Sequence, residues 1–411
     1  MTRTERTYYL VFGLYSFSWS FLGPVYPLFL LSRGLDLFQI NAVLATYLIT
    51  AFVFEVPTGA VADLVGRKVS FLLSCAVRMV AFVLYAFATG FVDCVIAEFI
   101  DAVGSTLASG ALDAWAVDGM REEGQRTTPH RFFARALMLA RPLMIVSGLI
   151  SGYAAQNNLR LPWLIAGGGF AFTGLIAAVS MREPRRPAAL AWASMHRSLG
   201  RTVRDGLMAV RQAPVLMVLC ALTMAVAFGA MPVHMLWQPR MQALTGEGTW
   251  LMGWIWALLN VTSFAGSALV PRLLGHVRRE WVLCGAALWR AAMFAVVGMA
   301  TGVGAALTGL LLQEMSFGLT EPVLQAWMNE HIEAERRATV LSVRAMFFTL
   351  GGAVGLLLIG LLARDFGIPA AWLASSAVFV LLAPGFILLG RLSGPARATE
   401  TAVALKIAPM A

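Results

Sequence analysis

The stretch GAVADLVGRKVS, Gly59 to Ser70, sets an aspartate, an arginine and a lysine between two long apolar runs. INAVLATYLITAFVFEVPT (Ile40–Thr58) precedes it and FLLSCAVRMVAFVLYAFATGF (Phe71–Phe91) follows it. Each flank has about the 20 residues that carry a helix across the hydrocarbon core of a bilayer. A short charged corner bracketed by Gly59 and Gly66 therefore reads as the turn of a helical hairpin, lying at a membrane surface.

The pattern extends along the whole chain. Of 411 residues, 59% are hydrophobic and only 13% charged, whereas a soluble domain is nearer a quarter charged. No polar stretch is long enough to bury a core of its own. Twelve spans are predicted, at 8–31, 38–62, 69–90, 92–118, 131–155, 161–181, 213–238, 249–271, 281–300, 303–330, 338–363 and 367–391. The first follows MTRTER and runs on past any small-residue cleavage site, so it is read as a retained helix.

Basic residues fall on alternate loops. Arg3 and Arg6, Arg67 and Lys68, Arg121, Arg126 and Arg131 share one side with Arg182, Arg185 and Arg186, Arg272, Arg278 and Arg279, and Arg336 and Arg337. The other side has Arg33, Arg160, Arg240 and Arg364. The positive-inside rule predicts a multi-pass protein of the cell (inner) membrane with both termini cytoplasmic. It also directs the net charge of +9 toward anionic lipid heads rather than nucleic acid. Cys75, Cys94, Cys220 and Cys284 lack paired spacing and read as packing residues, so neither a metal nor any cofactor is expected.

The basic connection at 182–212 divides the chain six spans and six, and its second part reads as an amphipathic helix on the membrane surface. The predicted organisation is a six-helix bundle at 1–181, this linker, a second bundle at 213–391 and a flexible tail at 392–411. The halves echo each other. ALDAWAVD (Ala111–Asp118) matches VLQAWMNE (Val323–Glu330) at an offset of 212, Arg78 meets Arg290 at the same offset, and ARALM (Ala134–Met138) resembles VRAMF (Val343–Phe347) at 209. Parallel repeats of this kind are a transporter architecture. The fold class expected is an all-α polytopic membrane protein of twelve helices in two pseudo-symmetric six-helix bundles.

Gly59-x-x-x-Asp63-x-x-Gly66-Arg67-Lys68 is similar to the signature loop between helices two and three of the major facilitator superfamily, and FEVPTGAVADLVGRK with SGALDAWAVD resembles its drug-exporter-like branch. The resemblance implies a gate: Gly59 allowing close helix approach, Gly66 the turn, and Asp63 and Arg67 bonding across helix ends to Asp118. The second half has GSALVPRLLGHVRRE, without an aspartate at the matching place, so the network is expected on one side only.

Eleven ionisable residues lie well within spans: Glu55, Arg78, Glu98, Asp101, Asp113, Arg135, Arg141, Arg290, Glu314, Glu321 and Arg344. Exposing all of them to lipid would cost on the order of 30 kcal/mol on the insertion scale, so they must face one another, water or the bundle interior. Glu55 and Arg78 stand at matching heights above the corner and are expected to pair. Arg135 and Arg344 either snorkel or join Asp113 and Glu330. Glu98 and Asp101, three apart, project from one face of span four, and burial with mutual repulsion opposes both being charged together. With Glu321 they are the candidate proton-coupling acids. The resemblance implies that spans one, four, seven and ten line a central cavity; Tyr15, Trp19, Tyr26, Arg141, His234 and Glu314 are the candidate substrate contacts.

The function expected is secondary active transport by alternating access: proton-coupled efflux of small drug-like or amphipathic molecules by a monomer. Proton-linked import of a small metabolite, or a non-transporting sensor with the same fold, are the alternatives. HExxH, nucleophile-elbow and phosphate-loop motifs are absent, so the chain is not expected to be an enzyme or to couple to ATP directly.

Overall fold

The computed structural model describes residues 1–124, 129–183, 208, 210–246, 248–332 and 337–393. The expected linker helix and the tail fall largely outside the described residues. Fourteen helices are described: α1 Arg3–Ser20, α2 Tyr26–Ser32, α3 Leu37–Val65, α4 Arg67–Phe87, α5 Phe91–Ala108, α6 Ala111–Glu122, α7 Pro129–Asn157, α8 Leu161–Ser180, α9 Pro214–Thr245, α10 Thr249–Leu274, α11 Arg279–Met299, α12 Val303–Glu330, α13 Arg337–Phe366 and α14 Ile368–Leu392.

Nine of these are individually long and apolar enough to cross a membrane. The remaining three spans are α12, which is richer in polar residues, and two helices that the fold interrupts. Span one breaks into α1 and α2 around Pro24, and span four breaks into α5 and α6 at Ser109 and Gly110. Gly110 adopts φ 68°, a conformation that suits glycine. Several helix starts follow local chemistry. Thr2 with Glu5, and Asp36 with Gln39, form reciprocal capping boxes on α1 and α3.

The chain forms two compact units. The first comprises Met1–Leu199 with Glu247–Ala257, and the second Gly200–Gly246 with Leu258–Ala411. The sequence boundary left Glu247–Ala257 with the second bundle. The structure counts it with the first because the start of α10 presses on α7: a Cβ at Gly152 would come 2.9 Å from Gly253 Cα, and Thr249 Oγ1 donates to Gly152 O at 2.9 Å.

Each unit is organised around the same aromatic frame. In the first, Phe82 meets Phe170 edge-on at 5.1 Å and Trp163 at 5.4 Å. In the second, Phe294 meets Phe379 at 5.4 Å and Trp372 at 5.3 Å, again edge-on. These residues correspond at the 212 and 209 offsets found in the sequence. Two six-span bundles with one plan are the observed architecture.

Glycines on α13 set close packing in the second unit. A Cβ at Gly351 would lie 2.1 Å from Met224 O, and one at Gly355 would lie 2.2 Å from Phe228 O, both on α9. By contrast, a Cβ at Gly59 would meet no described residue within 4 Å. The close approach expected there is absent among the described residues, which leave that side of α3 open. Gly355→Leu is therefore expected to abolish recovery of monodisperse protein by size-exclusion chromatography. Gly59→Ala should leave yield and thermal stability unchanged.

Candidate functional site

The charged corner is a helix junction capped from two sides. Gly66 turns the chain at φ 121° and supplies no side chain to the start of α4. Glu183, just beyond α8, accepts instead from the backbone N–H groups of Arg67 (3.1 Å) and Lys68 (3.2 Å), as an acid should at a helix N-terminus. Lys68 Nζ donates to Ala178 O at 2.7 Å and Met181 O at 2.8 Å, capping the end of α8. Arg67 Nη1 reaches the carbonyl of Ala114 at 2.6 Å and pairs with Asp118 on α6. Asp63 is exposed. The corner thus ties α4, α6 and α8 together.

The second unit carries the same tie. Arg279, the first residue of α11, pairs with Glu330 at the end of α12 and lies 4.1 Å over the Trp327 ring. Arg279 and Glu330 are the 212-offset counterparts of Arg67 and Asp118. The expectation of a one-sided network is therefore corrected. The motif's aspartate is missing there, but the arginine and its distant acid are both kept.

Deeper in the first unit, the expected Glu55–Arg78 pair is not formed. Arg78, 2% exposed, directs its fork at Asp101: Nε–Oδ1 is 2.7 Å and Nη2–Oδ2 is 3.1 Å. Nη1 donates to the Tyr15 hydroxyl at 2.9 Å, and the guanidinium sits 4.5 Å over Phe170. Glu55 is exposed and instead accepts from Ser109 Oγ at 2.7 Å. Matching height was not sufficient; Asp101 is on the side of α5 that α4 covers.

Glu98 lies on the same side of α5, also 5% exposed. The Tyr85 hydroxyl donates to it, and the Tyr26 hydroxyl stands 3.3 Å from that of Tyr85. Glu98 and Asp101 thus share one face, as their spacing predicts. That face is buried in the first bundle rather than open to a cavity. Their partners differ: Asp101 is neutralised by an arginine, whereas Glu98 has only a neutral hydroxyl among the described residues.

The other candidates are more scattered. Trp19 is 44% exposed, and half-buried Arg141, beside Pro142 in α7, has no ion-pair partner among the described residues. Glu321 pairs with Arg344 at 2.9 Å and accepts from Gln325 at 3.0 Å. Arg344 is thus committed to Glu321 and not to Glu330, and Asp113 accepts from Tyr8 at 2.6 Å. Glu314 accepts from Gln313 Nε2 at 3.0 Å. His234 is exposed, its ring 6.4 Å from that of Phe317. Sequence reasoning missed Glu183, which carries no motif, and Arg279, which the offset alone would have found.

Two matching helical bundles, broken spans and paired charges at hydrocarbon depth define a polytopic membrane transporter. The family model of the Major Facilitator Superfamily matches residues 8–280 and 251–410, and the chain belongs to that superfamily. It is 23% identical over 385 residues to the uncharacterized MFS-type transporter YxaM of Bacillus subtilis (strain 168), covering 92% of each chain. Its fold is similar to that of the nucleoside transporter NupG, with a TM-score of 0.74, 13% identity, and coverage of 94% of this chain and 99% of that one. It is also similar to a D-xylose-proton symporter, with a TM-score of 0.69, 15% identity, and coverage of 93% and 96%.

Removing one partner of a buried ion pair strands the other, at a cost of about 3–5 kcal/mol. Asp101→Asn is therefore expected to lower the thermal unfolding midpoint in detergent markedly. Adding Arg78→Gln to it should recover much of the loss, because no unpaired charge is then left.

Proposed function

We propose that the chain is a secondary active transporter that moves a small organic solute by alternating access and couples that movement to protons. The observation carrying this reading is Glu98, a carboxyl buried between α4 and α5 that accepts from the Tyr85 hydroxyl, itself backed by that of Tyr26, and is bonded to no cation among the described residues. Such an acid can gain or lose a proton without breaking an ion pair. Asp101 cannot, because its charge neutralises Arg78. The coupling role foreseen for the pair of acids is therefore assigned to Glu98, with Asp101 as its fixed neighbour. Glu321 is paired with Arg344 and is assigned a structural role.

The Arg67–Asp118 and Arg279–Glu330 ties occupy matching helix ends in their own units. We assign them to the closed form of a gate: charge-assisted bonds that hold helix ends together and must break when that side opens. The clustering of arginines on the loops at this end supports a cytoplasmic location for it, with both termini inside the cell membrane. Likeness to the drug-exporter-like branch supports efflux of amphipathic compounds by a monomer. Import is the second reading, and the fold similarity to a proton symporter for D-xylose favours it.

Direction and coupling are read together in proteoliposomes with an imposed pH gradient, using labelled amphipathic drugs, nucleosides and pentoses. Flux of a solute against the proton gradient, as antiport, supports efflux; co-accumulation with protons supports import. Glu98→Gln should largely abolish gradient-driven accumulation, because the amide cannot carry a proton, while solute–solute exchange continues. Unchanged gradient-driven accumulation in Glu98→Gln would remove Glu98 from the coupling scheme.

A further inference from the structure

The two units hold their deep arginines differently. Arg78 and Arg290 correspond at the 212 offset, and each sits over aromatic rings, one of which corresponds between the units. Arg78 lies 4.5 Å over Phe170 and 5.5 Å over Phe82; Arg290 lies 5.1 Å over Phe379, the counterpart of Phe170, and 5.4 Å over Phe317. At the position of Asp101, however, the second unit has Gln313. The position of Tyr15 in the first unit has no hydroxyl counterpart at the same offset, where Ala227 stands.

Arg290 is consequently unsatisfied. It is 2% exposed, and its Nε and Nη2 are buried with no hydrogen-bond partner among the described residues. Among the described residues, neither a carbonyl nor an acid of α12 completes it. Glu314 and Glu321 are near enough for Arg290 to feel their charges, but Glu314 is held by the Gln313 amide and Glu321 by Arg344. A buried guanidinium without hydrogen bonds is costly, and a ligand that supplied the missing acceptors would relieve that cost.

We propose that Arg290 is the anchor for a carboxylate of the transported solute, which takes the place that Asp101 fills in the first unit. This rests on the transporter reading above and narrows its substrate class to monoanionic organic acids with an apolar body. A monoanion fits because Arg290 has buried donors with no hydrogen-bond partner among the described residues, and the neighbouring acids exclude a more highly charged group. Phe317 lies near both Arg290 and the ring of the exposed His234, so a shift of Phe317 would open a way in.

The test is binding of benzoate, with neutral benzamide as the isosteric control, to the purified full-length chain in detergent, where no gradient or flux is involved. Benzoate should bind saturably and raise the thermal midpoint, and benzamide should not. Arg290→Gln should weaken benzoate binding by at least about tenfold, the scale of one lost charge-assisted fork. It should also raise the midpoint of the solute-free protein, because it removes an unpaired buried charge. Gln313→Asp, which recreates the first unit's acid, should weaken benzoate binding to a similar degree while keeping Arg290. Absence of benzoate binding to the unmodified chain, or binding by both variants equal to that of the unmodified chain, would overturn the site. A lower solute-free midpoint in Arg290→Gln would overturn it too, by revealing an internal partner. If gradient-driven flux of other solutes persists alongside any of these, the transporter reading survives and the carboxylate site alone fails. Benzoate binding as expected with no flux of any solute would uphold the site and defeat transport.

Discussion

A charge placed at hydrocarbon depth must be neutralised, hydrated or discharged, because leaving it bare costs several kcal/mol. The arrangement inside this protein follows from how each deep ionisable group meets that demand. Arg78 and Asp101 neutralise each other through a two-bond fork within a cage of aromatic rings. Arg344 and Glu321 do the same with one contact in the second unit. Among the buried groups described, two stand out after these pairings: a carboxyl whose hydrogen-bond partner is a hydroxyl, Glu98, and a guanidinium with buried, unbonded nitrogens, Arg290. Those two are where the functional reading concentrates.

The internal repeat makes that distribution legible. Trp163, Phe82 and Phe170 recur as Trp372, Phe294 and Phe379 with nearly the same ring geometry, and Arg67–Asp118 recurs as Arg279–Glu330. Packing and end-ties are kept in both halves, whereas the polar groups inside the frames are not. A duplicated scaffold with unlike interiors is what division of labour between bundles requires. Under the roles proposed for Glu98 and Arg290, the first bundle would handle the proton and the second the solute.

Much of the fold could be read from residues alone. Apolar run length gave twelve spans, and the repeated offset gave two bundles of one plan. The breaks in spans one and four escaped, since Pro24 and Gly110 look like ordinary tolerated residues within long apolar runs. The site was only partly legible. Height along a helix is read from residue count at about 1.5 Å per residue, which made Glu55 and Arg78 look like partners. Rotation about the helix, set by which neighbour packs on which side, put Asp101 there instead. The second-half tie is hidden when the motif is judged by Asp63, whose counterpart is absent, and visible when it is judged by Arg67 and Asp118, whose counterparts are Arg279 and Glu330. Glu183 carries its role purely through tertiary proximity to Gly66, and no sequence signal announces it.

If Glu98 is the group in the first bundle that changes its protonation state, the change can be watched directly. Infrared difference spectroscopy on the reconstituted protein, across a pH step, observes carboxyl groups through their carbonyl stretch. A protonated-carboxyl band should appear and disappear with pH in the unmodified chain and be missing in Glu98→Gln. The same titrating band persisting in Glu98→Gln, or lost in Asp101→Asn alone, would contradict that assignment.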